Sequence, residues 1–296
     1  MPSFRSSKAQ ADHAVSQKVA LCKGRHDNRD DGKIHSVGTA RGYGQALKGA
    51  AEYLQHHRLG DLRTMTVESA QQYLADRAVA VSQKTLDLDR QALQMHLGIR
   101  LDVTKSEKET HLSTRSYTPA QVGRIASAQS ERNSLATQIA HCAGLRAHEL
   151  LTIRPENERS AATHREWSPE RFAGREGERY TVAGKGGLVR EVLLSRELAA
   201  RLEATRLAEP RPVTDRGVHY QQQYDLAGGR AWSQSFSAAS QRELGFSNGA
   251  HGLRHSYAQE RMEELQGRGM SYELAKGTVA QEVGHFSAET TEAYLR

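Results

Sequence analysis

The sequence predicts a mainly α-helical fold with one small β-hairpin, an α+β architecture split between a short N-terminal helical unit and a larger C-terminal domain. Three observations carry this expectation. Apolar residues recur at helical spacing through residues 40–98. A charged stretch without apolar periodicity, residues 99–117, separates that unit from a strong helix start at Thr118. Beyond it, Tyr180-Thr181-Val182 and the run Val189 to Leu194 flank a glycine turn and read as a hairpin.

Taken in order, residues 1–34 are polar and rich in Lys, Arg, Asp and Ser, and read as a flexible basic arm. Residues 35–98 form the helical unit. Tyr43, Leu47, Ala50, Ala51 and Leu54 share one helical face. Thr66 caps a second helix carrying Val67, Ala70 and Leu74. Ser82 caps a third, with Leu86, Leu93 and Leu97 on one side and Gly98 as its stop. Residues 99–117 are the linker, and the second domain spans 118–296. Its first helix carries a complete start signal: Thr118 as cap, Pro119 at the first position, Gln121 closing a capping box, and Tyr117 with Val122 as a hydrophobic staple. A helix from about Ser134 stops at Gly144. Residues 155–178 are irregular, with Trp167 and Phe172 as anchors, and Leu198 and Leu202 mark a helix ended by Pro210 and Pro212. Between 213 and 249 the pattern is weaker, with Trp232, Phe236, Leu244 and Phe246 as core candidates. A polar break at Gly267-Arg268-Gly269 precedes a helix through Leu274, Thr278 and Val279.

The totals narrow the class. A length of 296 residues suits two domains. Hydrophobic content is 37% and mean hydropathy −0.70, so the surface must be very polar and no apolar run approaches a bilayer span. The start, MPSFRSSKAQ, lacks the apolar core of a secretory signal, so a soluble cytoplasmic protein without membrane partners is expected. Cys22 and Cys142 exclude a disulfide framework; Cys22 and His26 have ligand-like spacing but no second pair, so no metal site is expected. Lys plus Arg total 41 against 35 Asp plus Glu, a net charge of +6 that favours a polyanionic partner.

Four stretches carry candidate chemistry. Ala250-His251-Gly252-Leu253-Arg254-His255-Ser256-Tyr257 places an imidazole and a guanidinium three residues apart, on one face of a helix. Arg grips phosphate oxygens with a planar fork, and His titrates near neutral pH. Arg146 follows the helix-ending Gly144 on a tight turn, where Glu149 can orient it. Lys185 rides at the hairpin tip in Gly184-Lys185-Gly186-Gly187, which lacks the spacing and following helix of a phosphate-binding P-loop. Finally, Val283-Gly284-His285 is followed nine residues on by Tyr294.

Arg, hairpin Lys, His-x-x-Arg, Gly-His and Tyr, in this order over about 150 residues, resemble the tyrosine recombinase (phage integrase) family. The resemblance is strong from Thr118 to the end; over residues 40–98 it rests on a short helical unit where the family has its SAM-like core-binding domain. It implies a site-specific recombinase, the integrase of a bacterial mobile element, that cleaves and rejoins DNA at the nucleoid. Tyr294 would be the nucleophile, forming a 3′-phosphotyrosyl link and freeing a 5′-hydroxyl. Arg146 and Arg254 would clamp the non-bridging oxygens, Lys185 would protonate the leaving oxygen, His251 would assist proton transfer and His285 would hydrogen-bond the phosphate. By motif position Glu149 and His255 are supporting. No cofactor, metal or ATP is implied, since the guanidiniums supply charge and the covalent link stores the phosphodiester energy.

The implied partners are double-stranded DNA at specific sites, further copies assembling to a dimer or tetramer through a Holliday junction, and an accessory directionality factor. The N-terminal arm would touch DNA phosphates or remain a solvated tail. Lys48, Arg58, Lys84 and Arg90 are candidate DNA contacts on the helical unit, although such charges also mark ordinary solvated faces. Two departures stand out: the gap from Arg254 to His285 is long for the family, and only Leu295 and Arg296 follow Tyr294, where many members carry a further segment that docks on a neighbour. The latter leaves either contact through the helix of Tyr294 or a chain that ends early. It also keeps a type IB topoisomerase-like enzyme in view, beside a non-catalytic DNA-binding factor on the same fold.

Overall fold

A computed structural model of the chain describes residues 6–21, 32–109 and 114–295. It divides into two compact units, Met1–His111 and Leu112–Arg296. Among the described residues no helix is long and apolar enough to cross a membrane.

The first unit holds α1 (Ser7–Ser16), α2 (Val37–His56), α3 (Val67–Ala78) and α4 (Gln83–Leu97). The face expected of α2 is the buried one: Leu47, Ala50, Ala51 and Leu54 pack with Leu74, Leu86 and Leu93 in a single core. Thr66 caps α3 by accepting from the Ser69 amide, with Ser69 answering to the Thr66 backbone. Gly98 ends α4 in the left-handed conformation. Ser82 occupies the cap of α4 without capping it; its hydroxyl faces Thr85 Oγ1 at 3.2 Å instead.

Two expectations are corrected in this unit. The flexible-arm reading of residues 1–34 does not hold for Ser7–Ser16, which is a helix capped by Ser6 and buried through Ala11 and Val15. Its apolar side is small alanines and one valine, too thin to register as periodicity, yet it closes the α2 core. The Cys22–His26 pair lies outside the described residues. Nor is the whole of 99–117 a free linker. Leu101 is buried, Gln71 donates to Thr104 Oγ1 at 3.1 Å, and Ser106 donates to the Val81 carbonyl at 2.6 Å, so this stretch is strapped onto the first unit.

The second unit begins with α5 (Pro119–Ser127) and α6 (Glu131–Cys142). The Thr118 capping box forms in full, and Tyr117 and Val122 are both buried in the same core. Next come β1 (Arg154–Pro155), β2 (Glu178–Ala183) and β3 (Val189–Leu194), an antiparallel sheet in the order β1-β2-β3 with Ala183 opposite Val189 across the expected turn. α7 (Arg196–Glu203) follows.

Contrary to expectation, Pro210 and Pro212 do not end a helix but lie inside β4 (Arg206–Asp215), which pairs antiparallel with β5 (Val218–Tyr224). Proline is tolerated where a strand has no second neighbour to receive its missing N–H. Among the described residues β4 pairs only with β5, and its register is irregular between Arg206 and Arg211, around Pro210. α8 (Gly229–Leu244) buries Trp232 and Phe236 as expected, whereas Phe246 is 40% exposed and stacks parallel to Tyr117 at 6.2 Å. Phe172 is buried and Trp167 half-buried, its indole N–H donating to the Ala162 carbonyl at 2.9 Å. α9 (Gly252–Gly267), α10 (Tyr272–Glu282) and α11 (Ala288–Glu292) complete the unit; Leu274 points outward while Thr278 and Val279 are buried.

Gly144, between α6 and Arg146, shows why this corner needs glycine. Its φ is +59°, and an added Cβ would fall 2.7 Å from Tyr257 Cδ1 on α9. Gly144→Ala combines left-handed strain with overpacking and should cost about 2–4 kcal/mol in urea unfolding. An unchanged midpoint would show that the corner relaxes without cost.

Candidate active site

The site is assembled from five backbone corners of the second unit. At the first, Arg146 is held at both ends by one carboxylate. Its amide donates to Glu149 Oε2 and its Nη1 to Glu149 Oε1, each at 2.8 Å. Glu149 opens a short 3-10 turn and is fully buried.

The second corner is the β2–β3 turn. A Cβ placed on Gly184 would lie 3.2 Å from Glu149 Oε1 and 3.8 Å from Arg146 Nη1, so the backbone leading into Lys185 passes beside the pair. Lys185 opens the turn Lys185–Gly187; its side chain lies outside what the structure describes. On β3 the alternation of the strand turns Arg190, Val192 and Leu194 inward. Arg190 is 1% exposed, donating from Nη2 to Glu149 Oε2 and from Nη1 to the Glu282 carbonyl, both at 2.8 Å.

The third corner starts α9. Gly252 sits where a Cβ would be 2.4 Å from the Arg115 carbonyl, and the Ser256 hydroxyl bonds the Tyr117 carbonyl at 2.8 Å, which fixes the first turn of the helix. Arg254 on that turn is wholly buried. Its Nη1 donates to the Gly144 carbonyl at 2.6 Å, its Nη2 donates to the Val283 carbonyl, and it stands 4.0 Å from Glu149 Oε2. The fourth corner follows α10, where Gly284 takes a φ of +73° with Arg190 Cδ packed against it. It delivers His285, whose Nε2 lies 2.8 Å from Arg146 Nη2 and 3.4 Å from Arg254 Nη2. A guanidinium only donates, so Nε2 accepts and the ring proton is assigned to Nδ1.

The fifth corner follows α11. Tyr294 is 8% exposed, and its carbonyl accepts from Gln259 at 3.0 Å. Three imidazoles surround its ring, with centroids at 4.7 Å for His255, 5.4 Å for His285 and 5.5 Å for His251, while Arg254 Cζ lies 5.5 Å over its face. The structure therefore brings Arg146, Arg254, Glu149, His251, His255, His285 and Tyr294 together. His255, read from the sequence as the supporting neighbour of His251, lies nearer the tyrosine ring than His251 does.

Charge is unbalanced here. Among the described residues Glu149 is the carboxylate that pairs with Arg146, Arg190 and Arg254. Burial pushes Glu149 up, but the Arg190, Arg254 and Arg146 guanidiniums outweigh it and hold the carboxyl well below its ordinary range. Burial and then Arg146 lower Arg254 to about 9, so it remains charged at neutral pH. Three guanidiniums against one carboxylate leave an excess of positive charge beside Tyr294, the setting an anion would fill.

The imidazoles are correspondingly neutral. Burial, then Arg254 and Arg146, lower His285 to about 3, and burial, then Arg115, lowers His255 to about 4. Desolvation, then Arg254 and His255, lowers His251 to about 4; because that ring is exposed, the neighbouring charges are the firmer cause. The unfolded chain takes up these protons near the ordinary 6.5, the folded chain only near 3 or 4. Stability should therefore be complete above pH 6.5 and drain away as pH falls towards 4. Thermal unfolding across this range tests it: a flat midpoint would mean that the folded rings take up protons as readily as the unfolded ones.

The candidate contacts of the first unit are not equivalent. Arg58 and Lys84 are exposed. Lys48 is exposed and pairs with Glu52 at 3.3 Å. Arg90 is half-buried and donates to the Leu101 carbonyl at 3.3 Å, so it braces the strap just described. The residue that sequence reading missed is Arg190. Its signal was the strand alternation itself, which puts an arginine in register with Val192 and Leu194. A cleft of about 800 Å³ lined by Arg179, Tyr180 and Glu203 shares no residue with this cluster.

With this geometry in hand, the fold has clear counterparts. XerH site-specific recombinase bound to a palindromic difH substrate, in a post-cleavage complex, aligns with a TM-score of 0.58 at 16% identity, over 98% of this chain and 90% of that one. The pre-cleavage complex of XerH with difH aligns at 0.54 and 16% identity, over 100% and 95%. A lambda integrase tetramer bound to a Holliday junction aligns at 0.55 and 14% identity, over 96% and 77%. No protein-family model matches the sequence, and no curated protein does either. The chain has the tyrosine recombinase fold, matched over nearly its whole length.

Proposed function

We propose that this chain, built on the tyrosine recombinase fold, breaks and rejoins DNA through a tyrosine–phosphate link. The observation that carries the reading is the surplus of guanidinium charge against Glu149, directly beside the ring of Tyr294. In the proposed step the Tyr294 oxygen attacks phosphorus, the bond to the 5′-oxygen breaks, the phenol proton leaves to a base, and a general acid protonates the departing oxygen. The products are a 3′-phosphotyrosyl link and a 5′-hydroxyl. A free phenol titrates near 10, so attack at neutral pH needs a base and a stabilised phosphorane. Arg146 and Arg254 supply the stabilisation as preorganised donors. Lys185 is the proposed acid, its backbone being led to the site beside Arg146.

The histidines fit a responsive role. Burial and the charges of Arg254 and Arg146 keep His251 and His285 neutral. An arriving phosphate adds negative charge that raises their pKa values. His285 can then give up its bond from Arg146 and donate to the phosphate, and His251 or His255 can accept the phenol proton.

The finer reading is site-specific recombination, as the integrase of a mobile element, by protomers assembled on a Holliday junction. The first unit would supply a second DNA-binding surface through Arg58, Lys84 and Lys48. If about six phosphates are neutralised, affinity for duplex DNA should fall roughly 10³-fold between about 50 and 200 mM salt. A flat salt response would contradict backbone clamping.

The chemistry is tested by covalent capture. The full chain is incubated in EDTA with a pool of nicked duplexes of randomised sequence, and DNA that survives denaturation attached to protein is recovered and sequenced. Recovery of adducts converging on one sequence is expected. DNA that binds tightly but never becomes attached would instead identify a DNA-binding factor.

A further inference from the structure

The geometry points to Arg190 as a positioning residue of the proposed cleavage site, one that locks the Arg146 corner to the His285 corner. This rests on the phosphotyrosyl reading above and adds a residue to it. Arg190 does not touch Tyr294 among the described contacts; it acts through other groups. Its Nη2 holds Glu149 Oε2, and Glu149 in turn holds both the amide and the guanidinium of Arg146. Its Nη1 holds the carbonyl of Glu282, the last residue of α10, three residues before His285. Its aliphatic stem packs on Gly284, where a Cβ would lie 2.8 Å from Arg190 Cδ, so the stem and the glycine set the path of the chain into His285.

The consequence is a shared frame. Arg146 Nη2 and His285 Nε2 meet at 2.8 Å although 139 residues separate them. They arrive from different elements, and Arg190 is bonded to the support of each. It also lies on the strand that leaves the Lys185 turn, so the acid proposed for the leaving oxygen shares the same anchor. A buried arginine with both terminal nitrogens engaged has a fixed fork. Lysine could reach one acceptor but not both, and an apolar side chain neither.

Misplacing a catalytic group by about 1 Å can cost roughly 100-fold in rate. Arg190→Met is therefore expected to slow single-turnover cleavage of the captured substrate about 100-fold, with DNA affinity unchanged, and Arg190→Lys to fall between it and wild type. Loss of folded protein would lower the amplitude of cleavage, whereas misplacement lowers its rate. Glu149→Gln should also be slow, and the double variant should be slower than either single variant by much less than the product of their losses, because both changes break the Arg190–Glu149 link. Should Arg190→Met fail to fold, Arg190→Lys carries the same comparison. A wild-type rate in the Arg190 variants, or losses that multiply with Glu149→Gln, would overturn the assignment while leaving the tyrosine chemistry intact. Absence of cleavage by the wild-type chain would remove the chemistry and the assignment together.

Discussion

Arg254→Ala is expected to reduce the rate of covalent DNA attachment by about 10²–10³-fold, the loss seen when one preorganised donor to a developing charge is removed. Arg254 is wholly buried, still charged at neutral pH, and stands over the ring of Tyr294. Its Nη1 and Nη2 are fixed by the Gly144 and Val283 carbonyls, so the guanidinium needs no reorganisation when charge builds on phosphorus. Arg254→Lys separates charge from shape. A lysine keeps the cation but cannot hold both carbonyls, and should recover only part of the rate. Duplex affinity should change far less than rate, because in the proposed complex most phosphate contacts would lie outside the site. Full activity in Arg254→Lys would mean that a point charge suffices and that the fork is incidental.

Glu149→Ala should produce the largest loss of stability, about 3–5 kcal/mol by urea unfolding at neutral pH. The carboxylate is fully buried and shared by Arg146, Arg190 and Arg254, and its removal leaves two buried cations without a counter-charge. Its pKa is held below the ordinary 4.5, so the stability it contributes is present above that value and is lost as pH falls through the depressed folded value. The gap between wild type and Glu149→Gln should accordingly narrow in acid. A gap that stays constant from neutral pH downward would show that Glu149 acts through shape alone.

Much of this site was legible before the fold was known, for physical reasons that can be named. Gly144 followed by Arg146 reads as a helix stop aiming a guanidinium, and the left-handed corner against Tyr257 is that device. Thr118, Pro119 and Gln121 are a local start signal, satisfied within one turn and therefore independent of the rest of the chain. The hairpin is likewise set by neighbours in sequence, and Ala183 opposite Val189 follows from the glycines between them.

What escaped was decided by distant partners. The α1 helix depends on Ala11 and Val15 finding the core of α2, and no periodicity announces that. The β4–β5 hairpin carries prolines that locally argue for a break, and only the lone pairing of β4 makes them harmless. Arg190 looked like a charge in a strand until Glu149 and the end of α10 closed around it. His251 stands at the N-cap of α9 and His255 sits four residues on, and that His255 lies nearer Tyr294 depends on where the chain after α11 places the tyrosine.

The central claim is that the phenol of Tyr294 attacks DNA, and the most direct measurement is the identity of the attached atom. Covalent adducts formed in EDTA by the full chain are digested with nuclease and protease, and the nucleotide-bearing peptide is sequenced by mass spectrometry, beside a parallel incubation of Tyr294→Phe. The account predicts a 3′-nucleotide on Tyr294 and no adduct from the variant. A nucleotide on any other residue, or an adduct that persists in Tyr294→Phe, would contradict it.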